Sequence, residues 1–105
     1  MRGRLIITLC GSTKFKEFFL YMQKHLTLQN HIVISVGLFG HADNIKLRRH
    51  EKEMLDDMHK EKIDISNAIY VIDIGGYIGE STRREIEYAR KMGKKIYYFS
   101  KQDLL

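Results

Sequence analysis

Residues 68–89 read AIYVIDIGGYIGESTRREIEYA, and this stretch decides the fold. Its first part, Ala68–Ile74, is apolar and rich in β-branched side chains, which is typical of a buried β-strand. Three glycines follow within residues 75–79, and Ser81-Thr82 then opens a segment whose apolar residues recur at helical spacing. The stretch therefore predicts a strand, a glycine-rich loop and a helix in direct succession.

The rest of the chain repeats this alternation. Short β-branched runs at Arg4–Cys10 and His31–Val36 predict two earlier strands, and Lys95–Phe99 predicts a fourth. Apolar side chains at helical spacing predict one helix from Lys14 onward and a second, highly charged helix within Ile45–Ser66. The sequence therefore predicts the element order β-α-β-α-β-α-β.

Strands that alternate with helices pair in parallel through right-handed crossovers. We therefore expect one α/β domain over residues 1–105, a small doubly wound, flavodoxin- or Rossmann-like sandwich with a mainly parallel four-stranded sheet in the order 2-1-3-4. This order puts the topological switch between the first and third strands, where ligands usually bind beyond the carboxyl ends. The two loops that follow these strands both contain glycine, so we expect a ligand site where they meet.

Composition narrows the class of partner. Eighteen Lys and Arg against thirteen Asp and Glu give a net charge of +5, which favours anionic partners by long-range attraction. The basic residues are mixed with acidic ones, as in Arg48–Glu53, so a nucleic acid is not the expected partner. No apolar run approaches the roughly 20 residues that cross a bilayer, and no membrane association is expected.

Cysteine usage points to a reducing compartment. Cys10 is the one cysteine of the sequence and cannot form a disulfide within the chain. Neither a CxxC pair nor a His/Cys spacing typical of zinc sites is present. We therefore expect a cytoplasmic protein with no metal and no cofactor, in which Cys10 is a small core residue.

Both glycine-containing loops carry groups that bind anions. The first places backbone N–H groups, hydroxyls and a cation at the start of a helix, although helix capping explains its Ser and Thr equally well. The second loop is longer than a turn requires, which favours a ligand over mere flexibility. The candidate phosphate-binding residues are Gly11, Ser12, Thr13, Lys14, Gly76, Gly79 and Ser81.

Three carboxylates are candidates for catalysis. Glu85 lies three residues after Thr82, and this spacing fits either a capping box or a nucleophile that the helix dipole keeps ionised. Asp57 and Asp64 lie on or near the predicted second helix as it approaches the third strand, where they are either acid–base groups or solvated surface residues.

Several segments together resemble one known family. Leu9–Ser12, Asn67–Ile72 and Glu85–Ala89 followed by Gly93-Lys94 resemble the nucleoside 2-deoxyribosyltransferase-like superfamily. Its members include transferases that exchange bases on deoxyribose and small hydrolases that cut the N-glycosidic bond of nucleoside 5′-monophosphates. The resemblance covers most of the chain and implies a nucleotide as the small-molecule ligand.

The resemblance also implies roles for particular residues. Glu85 matches the glutamate that attacks the anomeric carbon, and an aspartate must protonate the departing base. The implied site residues are Glu85 as nucleophile, Ser12, Lys14 and Ser81 at the phosphate, and Asp57 or Asp64 as the acid. The chain is short for the family, so we expect a homodimer or higher homo-oligomer that completes the pocket.

Two functions remain open at this point. The first is an N-glycosidase or deoxyribosyltransferase-like enzyme that acts on a nucleoside monophosphate. Arg83 and Arg84, directly before Glu85, suit a phosphorylated ligand but also suit a relative that binds nucleotides without cutting them. The second function is therefore a non-catalytic nucleotide-binding or sensing module of the same fold.

Overall fold

A computed structural model describes residues 3–105. Four strands alternate with three helices, and two short 3-10 turns, Thr13–Phe15 and Ile74–Gly76, follow β1 and β3. The strands are β1 (Ile6–Gly11), β2 (Ile32–Ile34), β3 (Ala68–Ile72) and β4 (Lys95–Tyr98), and the helices are α1 (Lys16–Leu28), α2 (Arg49–Asp64) and α3 (Glu80–Lys91). This succession matches the predicted alternation.

The four strands form one parallel sheet in the order β2-β1-β3-β4, which confirms the predicted fold class and strand order. Thr8 of β1 lies in register with Ile34 of β2 on one side and with Ile69 of β3 on the other. The two central strands therefore end side by side at the topological switch.

Helices cover both faces of the sheet. Alternate residues of β3 pack on opposite sides: Tyr70 lies in the cluster that contains Phe19 of α1, and Val71 lies in the cluster that contains Ile63 of α2 and Ile86 of α3. Because both faces are covered, every residue of β3 is buried, and the strand is an uninterrupted apolar run.

The second helix, Arg49–Asp64, lies within the predicted range Ile45–Ser66, and the left-handed backbone of Asn44 (φ 55°) belongs to the irregular segment before it. The third helix begins at Glu80, so Thr82 lies inside its first turn and is not the cap. Gly79 holds the cap position, and within residues 3–105 no side chain caps it, so the predicted Thr82–Glu85 capping box does not form.

Among the helices found in residues 3–105, none is both long enough and apolar enough to span a bilayer.

Gly11 marks the place where β1 and β3 approach most closely. Its φ is +150°, and a Cβ there would lie 2.8 Å from the Ile72 carbonyl oxygen and 3.0 Å from the Ile72 Cβ. Real Cβ atoms do not approach backbone oxygens so closely, so the glycine is required by the packing of the two strand ends.

We expect Gly11→Ala to lower the free energy of unfolding by about 2–3 kcal/mol, since the new Cβ forces the strand ends apart. Gly37→Ala is the matched control, because a Cβ at Gly37 meets nothing within 4 Å. It should change stability by less than about 0.5 kcal/mol. Urea denaturation of the three proteins measures the difference, and equal midpoints for the two variants would contradict the steric explanation.

Candidate active site

A cavity of about 530 Å³ opens at the carboxyl edge of the sheet. The end of β1, the loop after β2, one face of α2 and the first turns of α3 surround it. Both glycine-containing turns contribute walls to this one cavity. Its lining residues are Gly11, Ser12, Thr13, Val36, Gly37, Leu38, Gly40, His41, Ile45, Leu47, Lys52, Leu55, Asp56, Met58, His59, Lys62, Tyr77, Gly79, Glu80, Ser81, Thr82 and Glu85.

Glu85 extends from α3 into the cavity, and only 17% of its side chain is exposed. Its Oε1 atom lies 4.0 Å from Nε2 of His59, a buried residue of α2. The same His59 atom lies 3.5 Å from Sγ of Cys10, which is fully buried near the end of β1. We call these three residues the Cys10–His59–Glu85 cluster, since their polar atoms all lie within 4.8 Å of one another.

Burial moves all three groups of the cluster towards their neutral forms. It raises the pKa of Glu85 to about 7, and the charge of Asp56 adds to this effect. It lowers the pKa of His59 to about 4, with a further contribution from the charge of Lys62. It also raises the pKa of the Cys10 thiol well above its usual value. At neutral pH the cluster therefore holds a neutral imidazole, a thiol and a partly protonated carboxyl group.

Most of the predicted phosphate-binding residues line this cavity, namely Gly11, Ser12, Thr13, Gly79 and Ser81. The Thr13 hydroxyl accepts a hydrogen bond from the backbone N–H of His41, 3.1 Å away, which ties the first turn to the loop after β2. Lys14 and Gly76 lie outside the cavity. The Lys14 ammonium group sits 3.7 Å from the centre of the Tyr77 ring, and Gly76 forms a left-handed turn (φ 82°).

The two predicted acids also lie outside the cavity. Asp57 is exposed and lines an adjoining groove between α2 and α3, which shares Asp56, Ser81 and Glu85 with the cavity. Asp64, the last residue of α2, accepts a hydrogen bond from the Tyr88 hydroxyl. Asp56 lines the cavity instead. Asp56 shares a helix face with His59, which lies three residues further along α2. Asp57 is rotated by about 100° around the helix axis relative to Asp56, so it lies on a different face.

Lys52 is a site residue that the sequence reasoning missed. Its Nζ atom lies 3.3 Å from Oδ1 of Asp56 and 3.4 Å from Oγ of Ser81, so it connects α2 to the first turn of α3. Lys52, Asp56 and His59 are spaced four and three residues apart on a helix, and this spacing is the signal that would have grouped them.

The loop between β2 and α2 forms the remaining wall of the cavity. It contributes apolar side chains, among them Leu38, Ile45 and Leu47. It is attached to the neighbouring elements by the bond between His41 and Thr13 and by an ion pair of 3.0 Å between Lys16 and Asp43. The cavity therefore has a polar end at the start of α3 and an apolar wall in an irregular loop.

Comparisons with protein-family models, curated proteins and solved structures find no match for this chain. The chemistry of the cavity therefore follows from the residues that line it. Two features matter most. One is the largely buried carboxyl group of Glu85, and the other is the contact between the Lys52 ammonium and the Ser81 hydroxyl at the start of α3.

The opposite pKa changes of Glu85 and His59 act against each other in the pH dependence of stability. Folded Glu85, with a pKa of about 7, keeps a proton that the unfolded chain releases above about 4.5, so its contribution falls as pH rises between these values. His59 stays neutral down to about pH 4 when folded but takes up a proton below about 6.5 when unfolded, so its contribution falls as pH decreases.

We therefore expect the native protein to have a nearly constant free energy of unfolding between about pH 4.5 and 6.5. Glu85→Gln leaves the His59 effect alone, so the variant should lose on the order of 3 kcal/mol as the pH falls from 6.5 to 4. Urea denaturation at a series of pH values, with a chelator present, measures both curves. Parallel curves for the two proteins would show that the Glu85 carboxyl group is not held protonated by burial.

Proposed function

We propose that this protein cleaves the N-glycosidic bond of a nucleoside 5′-monophosphate, with Glu85 as the nucleophile. The observation that carries the proposal is the shared cavity: the Glu85 side chain and the two anion-binding turns line the same space of about 530 Å³. This volume lies within the roughly 300–1,000 Å³ typical of small-molecule sites. A (deoxy)nucleotide has the size and the charge that such a space can accommodate.

The phosphate belongs at the start of α3. The first backbone N–H to find a partner within the helix is that of Arg83, bonded to the Gly79 carbonyl oxygen, and the N–H groups before it are available to a ligand. The Lys52 ammonium lies beside Ser81 at this same end. A bound phosphate would accept hydrogen bonds from these N–H groups and from Lys52, which already pairs with Asp56. The Ser12 hydroxyl, which lines the same cavity, would be a further partner.

The base belongs against the apolar wall. The loop after β2 and the face of α2 present only hydrocarbon over part of the cavity, which suits one face of a planar heterocycle. This apolar surface is formed by Val36, Leu38, Ile45, Leu47, Leu55 and Met58. With phosphate and base placed in this way, the sugar lies between them, beside Glu85.

In the proposed reaction the ionised Glu85 carboxylate attacks the anomeric carbon through an oxocarbenium-like transition state. A carbon–oxygen bond to Glu85 forms, and the bond to the base breaks. The base leaves with the electron pair and takes a proton from an acid. Water, or the base of a second nucleotide, then releases the sugar from Glu85. Because burial holds the pKa of Glu85 at about 7, about half of the molecules carry the ionised form at neutral pH.

The proton donor in this proposal is Asp56. It is the aspartate that lines the cavity, and its charge acts on Glu85, so both groups face the same space. Asp57 and Asp64, the acids expected from the sequence, face other surfaces. Asp56 is paired with Lys52, so a phosphate that binds Lys52 would have to free the Asp56 carboxyl group, which then takes a proton from solvent and passes it to the departing base.

A non-catalytic nucleotide-binding module is the second candidate. The observation that favours it is the same ion pair, because Lys52, 3.3 Å away, already engages the aspartate that the reaction would need as its acid. In that case the cavity would bind the nucleotide and leave it intact. A nucleotide that raises the melting temperature but is recovered unchanged would indicate this function.

Glu85→Gln tests the nucleophile. Incubated with a panel of ribo- and deoxyribonucleoside 5′-monophosphates, the native protein should release free base, and the variant should be slower by about a thousandfold or more. Glu87→Gln is the matched control, since Glu87 is an exposed glutamate two residues further along α3. Chromatography of the free base provides the measurement. Base release that survives Glu85→Gln would refute the nucleophile.

Asp56→Asn and Asp57→Asn form a second pair, because the two aspartates are adjacent but only Asp56 lines the cavity. We expect the Asp56 variant to lose about 10²–10⁴-fold in kcat with a natural base as leaving group, and to recover part of this loss with a better leaving group. The Asp57 variant should lose much less. The reverse order of effects would assign the acid to Asp57, one of the two aspartates that the sequence offers for this role.

Two further expectations from the sequence remain predictions. A homodimer or higher homo-oligomer would complete the open side of the pocket with residues of a second copy. The lone, buried Cys10 agrees with a reducing compartment such as the cytoplasm.

A further inference from the structure

The Cys10–His59–Glu85 cluster has the composition of a metal site. A thiol, an imidazole and a carboxyl group come from three different elements, β1, α2 and α3, and their donor atoms lie within 4.8 Å of one another. Three such ligands with one open position are the usual arrangement of a catalytic zinc site. The fold alone does not require three polar groups at this place, because apolar side chains fill the surrounding layer between the sheet and α3.

The distances agree with those of a tetrahedral ion. Zinc bonds of about 2.3 Å to sulfur and 2.0–2.1 Å to nitrogen place the two atoms about 3.5 Å apart at a tetrahedral angle. Cys10 Sγ and His59 Nε2 are 3.5 Å apart. The same calculation gives about 3.3 Å between nitrogen and a carboxylate oxygen, and the observed distance from His59 Nε2 to Glu85 Oε1 is 4.0 Å. The Glu85 oxygen would therefore have to move about 0.7 Å towards His59 to bind the same ion.

The surroundings favour the same ion. Lys62, whose charge acts on His59, donates a hydrogen bond to the Ser35 carbonyl oxygen, and Lys52 pairs with Asp56, so both lysines of the cavity have partners outside the cluster. The charges of one thiolate and one carboxylate balance those of a divalent ion. The sulfur ligand disfavours magnesium and calcium and selects metals of the zinc class.

We propose that Cys10, His59 and Glu85 bind one divalent ion of the zinc class, with the fourth coordination position open to the cavity. The imidazole nitrogen binds as the neutral base, and the protons of the thiol and of any protonated carboxyl group pass to solvent. A metal bound to Glu85 would draw electron density from the carboxylate and so weaken it as the nucleophile. On this point the inference rests on the proposed function, and zinc should then inhibit base release.

Cobalt(II) provides a direct test, because Cys10 is the one cysteine in the sequence. The full-length chain, kept reduced by a non-thiol reductant and freed of metal, is titrated with Co²⁺ alone. We expect saturation at one ion per chain, with a thiolate-to-cobalt charge-transfer band and the visible bands of tetrahedral cobalt. Zinc should displace the cobalt and abolish both signals, and it should raise the melting temperature of the native protein.

Variants separate this site from adventitious binding. Cys10→Ser should remove the charge-transfer band, and His59→Ala and Glu85→Gln should each weaken cobalt binding by roughly tenfold or more. His50→Ala and Glu87→Gln, exposed residues of the same two helices, should leave the titration unchanged. Circular dichroism confirms that each variant is folded. If the Cys10 variant fails to fold, the charge-transfer band of the native chain and the weaker cobalt binding of the other two variants still decide the question.

The results distinguish the metal site from the glycosidase. Absence of the charge-transfer band in the native protein, or a titration that the His59 and Glu85 variants do not alter, overturns the metal site, whatever the activity. Base release without cobalt binding leaves the glycosidase intact. Cobalt binding without base release from any nucleotide supports the metal site and removes the glycosidase. Zinc that binds without inhibiting base release overturns the shared use of Glu85.

Discussion

The parallel pairing of β1 with β3 is the constraint on which the rest of the molecule depends. The two strands lie next to each other although a helix, a strand and a second helix separate them in the chain. Their close contact at Gly11 and Ile72 brings the turn after β1 beside the loop after β3. Without this contact, the start of α3 and the end of β1 would not share a cavity, and Cys10 would not meet Glu85.

The architecture was predictable because it depends on periodicity. Short β-branched runs and helical spacing identify all four strands and three helices, and the handedness of crossovers leaves few orders for the sheet. The exact start of α2 was not predictable in this way. The apolar spacing within Ile45–Ser66 fits a helix only with some drift, and the irregular backbone before Arg49, with its left-handed residue Asn44, depends on local backbone energy that the spacing does not record.

The site was predictable only in part, for a related reason. The glycine turns and Glu85 follow from local sequence, and the structure places them around one cavity. Whether Asp56 or Asp57 faces the cavity depends on how α2 is rotated about its own axis. A helix boundary that is wrong by one residue is enough to hide this rotation. The Cys10–His59–Glu85 cluster joins three separate parts of the chain, so no spacing within the sequence could reveal it.

The irregular loop between β2 and α2 carries most of the wall assigned to the base, but none of the residues assigned to bond cleavage. The residues assigned to bond cleavage lie on helices that pack against the sheet, whereas most of the wall assigned to the base lies on a segment attached through Phe39, His41 and Asp43. Insertions or replacements elsewhere in this segment would reshape the space for a heterocycle without disturbing the sheet. Under the proposed function, the preference for one base over another would then be free to diverge among descendants of this chain without a change in the carboxylate chemistry.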